Sequence, residues 1–350
     1  MLPLFNKTLR QVRSVFLYPM IPAHVREVLQ TNFGLSGFTD EQVLAGGFRC
    51  LNISFSSLGQ TFFIKQYREK RGEKMKEVKR AEQWFFLQGI PIILPLVSKL
   101  GEAVFFSEGY WYSVYPFVKG LQSSARELTP HHVASLGIMH ARLHTFGSQA
   151  DPTGYSRFSF WDREVFLRDV NEIERIVAVE PPKTVAEVQA LENIRLQMEF
   201  LKSNTQRPED FGLPFNHLLI DDFIYTNVFF DEEGTVKQVF DLERTGMGPR
   251  AYDLVRSLFI TCFDDGWHEK NFEFARTYLK AYQTVYPIGL EEFRTGIQMY
   301  TTHFMHMTWL ESAILLGKSD RHQALVGSAN ARLHHLLGNL EEIVEQMFVV

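Results

Sequence analysis

At 350 residues the chain is longer than one hydrophobic core usually spans, so two packed lobes with room for a catalytic cleft are expected. A hydrophobic share of 45% with 22% charged residues excludes disordered, collagen-like and coiled-coil classes, and 31 Phe imply aromatic-rich cores. Lys and Arg (36) against Asp and Glu (41) leave a net charge of -5, so no global field draws the chain to nucleic acid or anionic lipid.

At the N-terminus Lys7, Arg10 and Arg13 interrupt the apolar residues and no small-residue cleavage site follows, which argues against a secretory signal. Val25, Val28, Leu29 and Phe33 then recur at helical spacing ahead of Gly34, predicting a helix over residues 23–33. Over residues 43–67, Gly46 and Gly47 precede Leu51, Ile53 and Phe55, which alternate with Asn52 and Ser54. A Leu58-Gly59-Gln60 turn and Phe62-Phe63-Ile64-Lys65 follow, so the stretch reads as a glycine-bearing loop inside a β-hairpin. Residues 65–80 are charge-dense and become helical through Gln88, where Gly89 and Pro91 end the helix. Glu69, Glu73 and Glu77 interleave with the cations there, giving a solvated helix face rather than a nucleic-acid patch. The apolar run at residues 90–97 is broken by Pro91 and Pro95, and none approaches the roughly 20 residues of a membrane span, so no transmembrane segment is expected. Strands are predicted at 103–106 and 111–114, joined by Ser107-Glu108-Gly109.

After residue 120 the strand signal largely disappears, which divides the chain into an N-terminal lobe, 1–120, and a mainly helical C-terminal lobe, 121–350. Thr129 can cap a helix through Leu136, Met139, Leu143 and His144. Amphipathic patterns recur at 161–177, 185–201, 272–286, 290–316 and 322–347. Only residues 217–239 break this pattern, with short apolar runs at Leu218-Leu219-Ile220 and Val228-Phe229-Phe230, a turn at 231–234 and another strand at 236–240. His303 and His306 lie one helical turn apart, but Phe304, Met305 and Met307 around them indicate core or pocket lining rather than a metal site. Cys50 and Cys262 are too few for a disulfide framework or a Cys-based zinc site, which fits a reducing, cytoplasmic setting.

The strongest chemical constellation is Asp222-Phe-Ile-Tyr-Thr-Asn227, then Val228-Phe-Phe, a hairpin turn, and Val239-Phe-Asp241-Leu-Glu243. Acids and an amide oxygen at the ends of short strands joined by a tight turn can converge on one point. Phosphoryl transfer from ATP needs such a set: one carboxylate to orient and deprotonate the accepting hydroxyl, and oxygen ligands to hold magnesium on the phosphates. A Gly-Gly hairpin and a strand lysine, Lys65, precede these acidic loops, in the order that an ATP site requires. Gly46 and Gly47 would let backbone amides approach phosphate, and Lys65 could contact the α- and β-phosphates.

The sequence resembles the aminoglycoside phosphotransferase, choline kinase and type II homoserine kinase superfamily from about Ala23 to Glu311, most specifically in LLIDDFIYTNVFFDEEGTVKQVFDLERTGMGPRAYDLVRSL. The resemblance implies an α+β, two-lobed protein-kinase-like fold with a small β-rich N-lobe and a larger helical C-lobe. It implies Asp222 as catalytic base, Asn227 and Asp241 as magnesium ligands, and Glu243 as the second acid that many members carry. Gly46, Gly47 and Lys65 match the nucleotide loop and the phosphate lysine, residues 115–117, with Tyr115 and Phe117, look like the hinge that holds adenine, and residues 136–144 resemble the family's core helix. Asp253 matches an acid whose role is mainly structural, and either Glu77 or Glu82 would pair with Lys65, with Glu77 favoured. ATP and Mg2+ are thus the implied cofactors. The implied partner is a small-molecule hydroxyl acceptor, an amino alcohol, sugar or aminoglycoside-like compound, with no nucleic acid or membrane partner.

The family usually has a His two residues before the catalytic Asp and a Gly between them; here these positions are Ile220 and Asp221. Ile220 cannot supply an imidazole's hydrogen bonds, so the loop is expected to rest on packing alone. This motivates an alternative, a catalytically weak kinase-fold binding module, against which stands the presence together of Lys65, Asp222, Asn227 and Asp241. A protein kinase is disfavoured because nothing resembling an activation segment with an Ala-Pro-Glu end follows Asp241.

Overall fold

The computed structural model describes residues 20–44, 51–68, 71–264, 266–317 and 323–348. Gly46, Gly47, Cys50 and the cation-bearing N-terminal segment lie outside the described residues. The chain divides into two compact units, Met1–Lys76 with Leu94–Val118, and Glu77–Ile93 with Lys119–Val350.

In the first unit helix α1 spans Ala23–Phe33, and the chain leaves it through Gly34 in the left-handed region, φ 71°, as the sequence predicts. A five-stranded antiparallel sheet follows, in the order β1-β2-β3-β5-β4. Its strands are β1 (Thr39–Val43), β2 (Leu51–Ser57), β3 (Gln60–Arg68), β4 (Phe105–Ser107) and β5 (Tyr110–Pro116). Ile53, Phe55, Phe62, Ile64, Tyr112 and Val114 form one buried cluster with Val25 and Leu29 of α1. Because side chains alternate across a strand, Phe63, Lys65, Ser113 and Tyr115 fall on the other face. The register pairs Phe63 with Tyr115 and Lys65 with Ser113. The edge strand β1 is not evident from the sequence pattern: its burial does not alternate, and only the middle residue, Glu41, is partly buried.

Helix α2 spans Gly72–Leu87 and the division between the units runs through it. After it, the Val239 amide donates to the Pro91 carbonyl at 2.9 Å and the Ile93 amide donates to the Val239 carbonyl at 3.1 Å. Helix α3, Pro130–Gly147, starts at Thr129, whose side chain accepts from the His132 amide while the His132 ring reaches back to the Thr129 amide. Helices α4 (Arg163–Val179) and α5 (Val185–Ser203) come next, then short strands β6 (His217–Leu219), β7 (Val228–Phe230), β8 (Val236–Val239) and β9 (Gly246–Gly248). β7 pairs with β8 and β6 with β9. The remaining helices are α6 (Arg250–Cys262), α7 (Glu269–Gln283), α8 (Leu290–Met305), α9 (Trp309–Leu315), α10 (Gln323–Gly338) and α11 (Leu340–Met347). No described helix is long and apolar enough to cross a membrane.

Two glycines of α3 set its distance from its neighbours. A Cβ on Gly137 would stand 2.3 Å from the Tyr278 carbonyl oxygen, and one on Gly147 would stand 2.4 Å from that of Leu218. Backbone can therefore lie directly on backbone, which seats α7 and β6 against α3.

Two predicted helices are each broken into two. The amphipathic run 290–316 stops at Met305 and resumes at Trp309. Gln197 Nε2, from α5, donates at 2.8 Å to the Met307 carbonyl left open by the break, and Thr308 Oγ1 donates to Asp169 of α4 at 2.9 Å. The run 322–347 breaks at Gly338 and Asn339, both poor helix formers, with Asn339 at φ -142°.

Candidate active site

The strand β6 is buried at all three positions, and the chain emerges from it through Ile220, which is also buried. Asp221 then adopts a left-handed backbone, φ 61°, the conformation for which a glycine would be the easy choice and which Asp tolerates better than most residues. That turn brings Asp222 out, with its side chain 29% exposed. Phe223 turns back into the core, its ring 5.0 Å from that of His140, and its carbonyl accepts from Ser257 Oγ. Tyr225 OH donates to Asp264 at 2.6 Å, and the Asn227 amide closes a tight turn onto the Ile224 carbonyl at 2.9 Å. The expectation that packing alone holds this loop is therefore corrected. Ile220 is buried, but Ser257, Asp264 and Asn227 also pin the loop with hydrogen bonds.

Asn227 and Asp241 are joined through the β7–β8 hairpin. Val228 pairs with Val239, and one step further the Phe240 amide donates to the Asn227 carbonyl at 3.1 Å. Asp241 follows with φ 65°, a second left-handed aspartate. Asn227 Nδ2 donates to the Asp222 carbonyl at 2.8 Å. Its amide nitrogen is thus engaged and its Oδ1 is the atom a cation would meet. The donor set Asn227, Asp241 and Glu243, all half-exposed, is made of hard oxygen atoms and fits a magnesium-type ion rather than a thiophilic one.

Next to Asp222 lies a cluster of charges that the sequence reading did not include. Asp221 is fully buried and ion-paired with Arg244 Nε, and Arg256 Nε lies 3.4 Å from the same carboxylate oxygen. Arg256 Nη2 donates to Asp222 Oδ1 at 2.7 Å. Burial pushes the Asp221 carboxyl up, against the pull of the two guanidinium groups. Burial alone would push the Arg256 guanidinium down, but Asp221 and Asp222 more than offset this and hold it further up. His303, buried and facing Arg244 and Arg256, is held well below the usual histidine range by burial first and by these cations second. It shares a 2.6 Å hydrogen bond with Tyr252 OH, which agrees with its assignment to the core. The available sequence signals for the cluster were Asp221 in a glycine position, Arg244 three residues after Asp241, and Arg256 one helical turn after Asp253.

Asp253 sits at the other end of that turn. His140 Nε2 and His144 Nε2 approach its Oδ2 at 3.1 and 3.0 Å, while Tyr278 OH and Tyr282 OH lie 2.8 Å from the Nδ1 atoms of His140 and His144. Among the described residues these three are the one cluster of three or more His, Cys, Asp or Glu side chains whose ligand atoms lie close enough together to hold a metal. Each imidazole, however, has a partner on both nitrogens, and burial pushes His144 down to about 3, so His144 reads as a neutral imidazole donating to the carboxylate. Those bonds hold Asp253 below the usual carboxylate range although burial opposes them.

The other predicted residues divide between the two units. Lys65 and Tyr115 share a sheet face in the first, where Tyr115 is buried and stacked on Phe63 with ring centroids 5.0 Å apart. Phe117 is exposed, and its amide donates to the Thr61 carbonyl at 2.9 Å. Glu77 and Glu82 belong to the second unit. Glu77 accepts from Ser156 Oγ at 2.9 Å, and Glu82 forms a buried ion pair with Lys79 at 2.8 Å.

Over residues 41–295 the chain matches the profile of a family described as phosphotransferase enzyme family. A sequence search of curated proteins found no match. Solved structures share the fold at low identity. A spectinomycin phosphotransferase in complex with ADP and spectinomycin is 14% identical, with 94% of this chain and 100% of that one covered and a TM-score of 0.63. An amicoumacin kinase in complex with AMP-PNP, Ca2+ and Ami is 16% identical, covering 88% and 91%, with a TM-score of 0.62. A microcompartment-associated aminopropanol kinase is 15% identical, covering 89% and 97%, with a TM-score of 0.59.

Proposed function

The chain belongs to the phosphotransferase enzyme family, and from that premise we propose that it transfers the γ-phosphate of ATP, with Mg2+, to a hydroxyl group of a small molecule. The observation that carries this reading is the tie between the acidic loops: Asn227 Nδ2 on the Asp222 carbonyl, and the Phe240 amide on the Asn227 carbonyl. These ties between three strand ends support a reading in which one carboxylate and a set of oxygen ligands converge.

In this reading Asp222 orients the acceptor hydroxyl and takes its proton. The acceptor oxygen forms a bond to the γ-phosphorus as the bond from that phosphorus to the β–γ bridging oxygen breaks, giving ADP and a phosphate monoester. Asn227, Asp241 and Glu243 would hold magnesium, which when bound neutralises charge on the phosphates. Lys65 would contact the α- and β-phosphates, and the backbone at residues 115–117 would meet adenine. The spectinomycin, amicoumacin and aminopropanol enzymes support an acceptor of the amino alcohol, sugar or aminoglycoside class.

The test is ATP consumption with Mg2+ and with chelator against spectinomycin, hygromycin B, 1-aminopropan-2-ol, choline and homoserine, with product identified by mass spectrometry. Asp222→Asn should lower transfer about 100- to 10,000-fold, the usual worth of general acid–base catalysis, and still bind nucleotide. Equal transfer by variant and wild type would remove Asp222 from the catalytic role, and no transfer by either while both bind nucleotide would establish the binding-module alternative suggested by Ile220.

A further inference from the structure

We propose that Arg256 is the positioning residue for the Asp222 carboxylate, and that buried Asp221 holds Arg256 in place. The proposal rests on Asp222 being the catalytic carboxylate. Arg256 Nη2 takes Asp222 Oδ1 at 2.7 Å, and among the described residues nothing hydrogen-bonds Oδ2. One oxygen is therefore spent and the other is left to meet the acceptor hydroxyl, so the direction of approach is selected before any substrate arrives.

The support behind Arg256 is rigid. It projects from α6 between two fixed points: Asp253, one turn earlier, receives both His140 and His144, and Ser257, the next residue, donates to the Phe223 carbonyl of the catalytic loop. Arg256 is 11% exposed, so its guanidinium has little room to swing. On its other side lies Asp221, at 0% exposure, which also holds Arg244. A guanidinium offers several donors in one rigid plane and can face Asp221 through Nε and Asp222 through Nη2 at once. An ammonium group is a single point and cannot span both. The glycine position of the family pattern is thereby converted into a counter-ion site: Asp221 accepts a left-handed backbone and burial, and in return anchors the arginine that aims its neighbour.

The deciding variant is Arg256→Lys, assayed beside Asp222→Asn for ATP turnover with the best acceptor of the panel above and with water alone. Thermal unfolding and ATP KM are measured in parallel. Arg256→Lys should lower kcat about 10- to 100-fold, the loss that follows roughly 1 Å of misplacement, with ATP KM and the unfolding midpoint held. A second variant, Asp221→Asn, leaves the guanidinium but removes its anchor and should also lower kcat without raising ATP KM. If Arg256→Lys restores wild-type kcat, Arg256 serves only to balance charge and the inference is overturned. If Arg256→Lys fails to fold, Asp221→Asn decides in the same way, and wild-type kcat there overturns it. Wild-type turnover by Asp222→Asn would instead overturn the assignment of Asp222, and absence of turnover by the wild type with every acceptor and with water would overturn the proposed function and this inference together.

Discussion

The Phe240 amide donates to the Asn227 carbonyl at 3.1 Å, one step beyond the Val228–Val239 pair, so Asn227, just before β7, and Asp241, just after β8, flank the same end of the hairpin. This places Asn227 and Asp241 side by side without any long-range contact. A two-stranded ribbon with a tight turn is enough, and the proposal that these two residues hold a metal starts from it.

If Asn227 and Asp241 hold magnesium, ATP should bind more tightly with Mg2+ than with chelator, and Asp241→Asn should erase that difference while leaving the chelated affinity unchanged. Fluorescence titration of a nucleotide analogue reads both quantities. A magnesium-dependent increment equal in variant and wild type would remove Asp241 from the ligand set.

Lys65 lies mid-strand on the sheet face opposite the α1 core, where it fills none of the apolar cluster. Lys65→Met should therefore raise ATP KM about 10- to 100-fold, the worth of one charge-assisted hydrogen bond, with an unchanged unfolding midpoint. A variant that unfolds early with normal KM would show that Lys65 is structural.

Asp253 accepts from two histidines at full burial. Asp253→Asn exchanges the anion for an amide whose nitrogen is a further donor among donors, so urea unfolding should show a loss of about 3 kcal/mol. A loss below about 1 kcal/mol would mean that the pair of bonds is not a main tie between α3 and α6.

Glu311 is buried in α9, accepts from Asn193 at 2.9 Å, and is pushed by burial from 4.5 up to about 7. A carboxyl raised on folding binds its proton more tightly in the folded chain, so its contribution to stability is full below pH 4.5 and is lost as pH rises through about 7. Glu311→Gln cannot ionise and should match the wild type near pH 5. At pH 8 it should be more stable by up to about 3 kcal/mol, read by urea unfolding at the two pH values. Parallel stability curves would show that Glu311 does not titrate in this window.

The sequence by itself determined what depends on near neighbours. The limits of α1 follow from the period of Val25, Leu29 and Phe33 and from the stop at Gly34; the β2–β3 turn follows from Leu58-Gly59, and the start of α3 from Thr129. The Asp222-to-Asn227 spacing and the hairpin to Asp241 are local in the same sense, which is why the course of the acidic loops was legible. Tertiary structure alone decided the partners. His140 and His144 meet tyrosines 138 residues away, β6 pairs with β9 rather than with the apolar strands nearest to it, and α8 is broken where Gln197, from a helix about 110 residues earlier, serves its carbonyls. The charges around Asp222 come from three places at once, Asp221 on its own loop, Arg244 after β8 and Arg256 on α6. Periodicity and turn residues report the energy of short segments, whereas which guanidinium faces which carboxylate is chosen only when distant segments are packed and desolvated together.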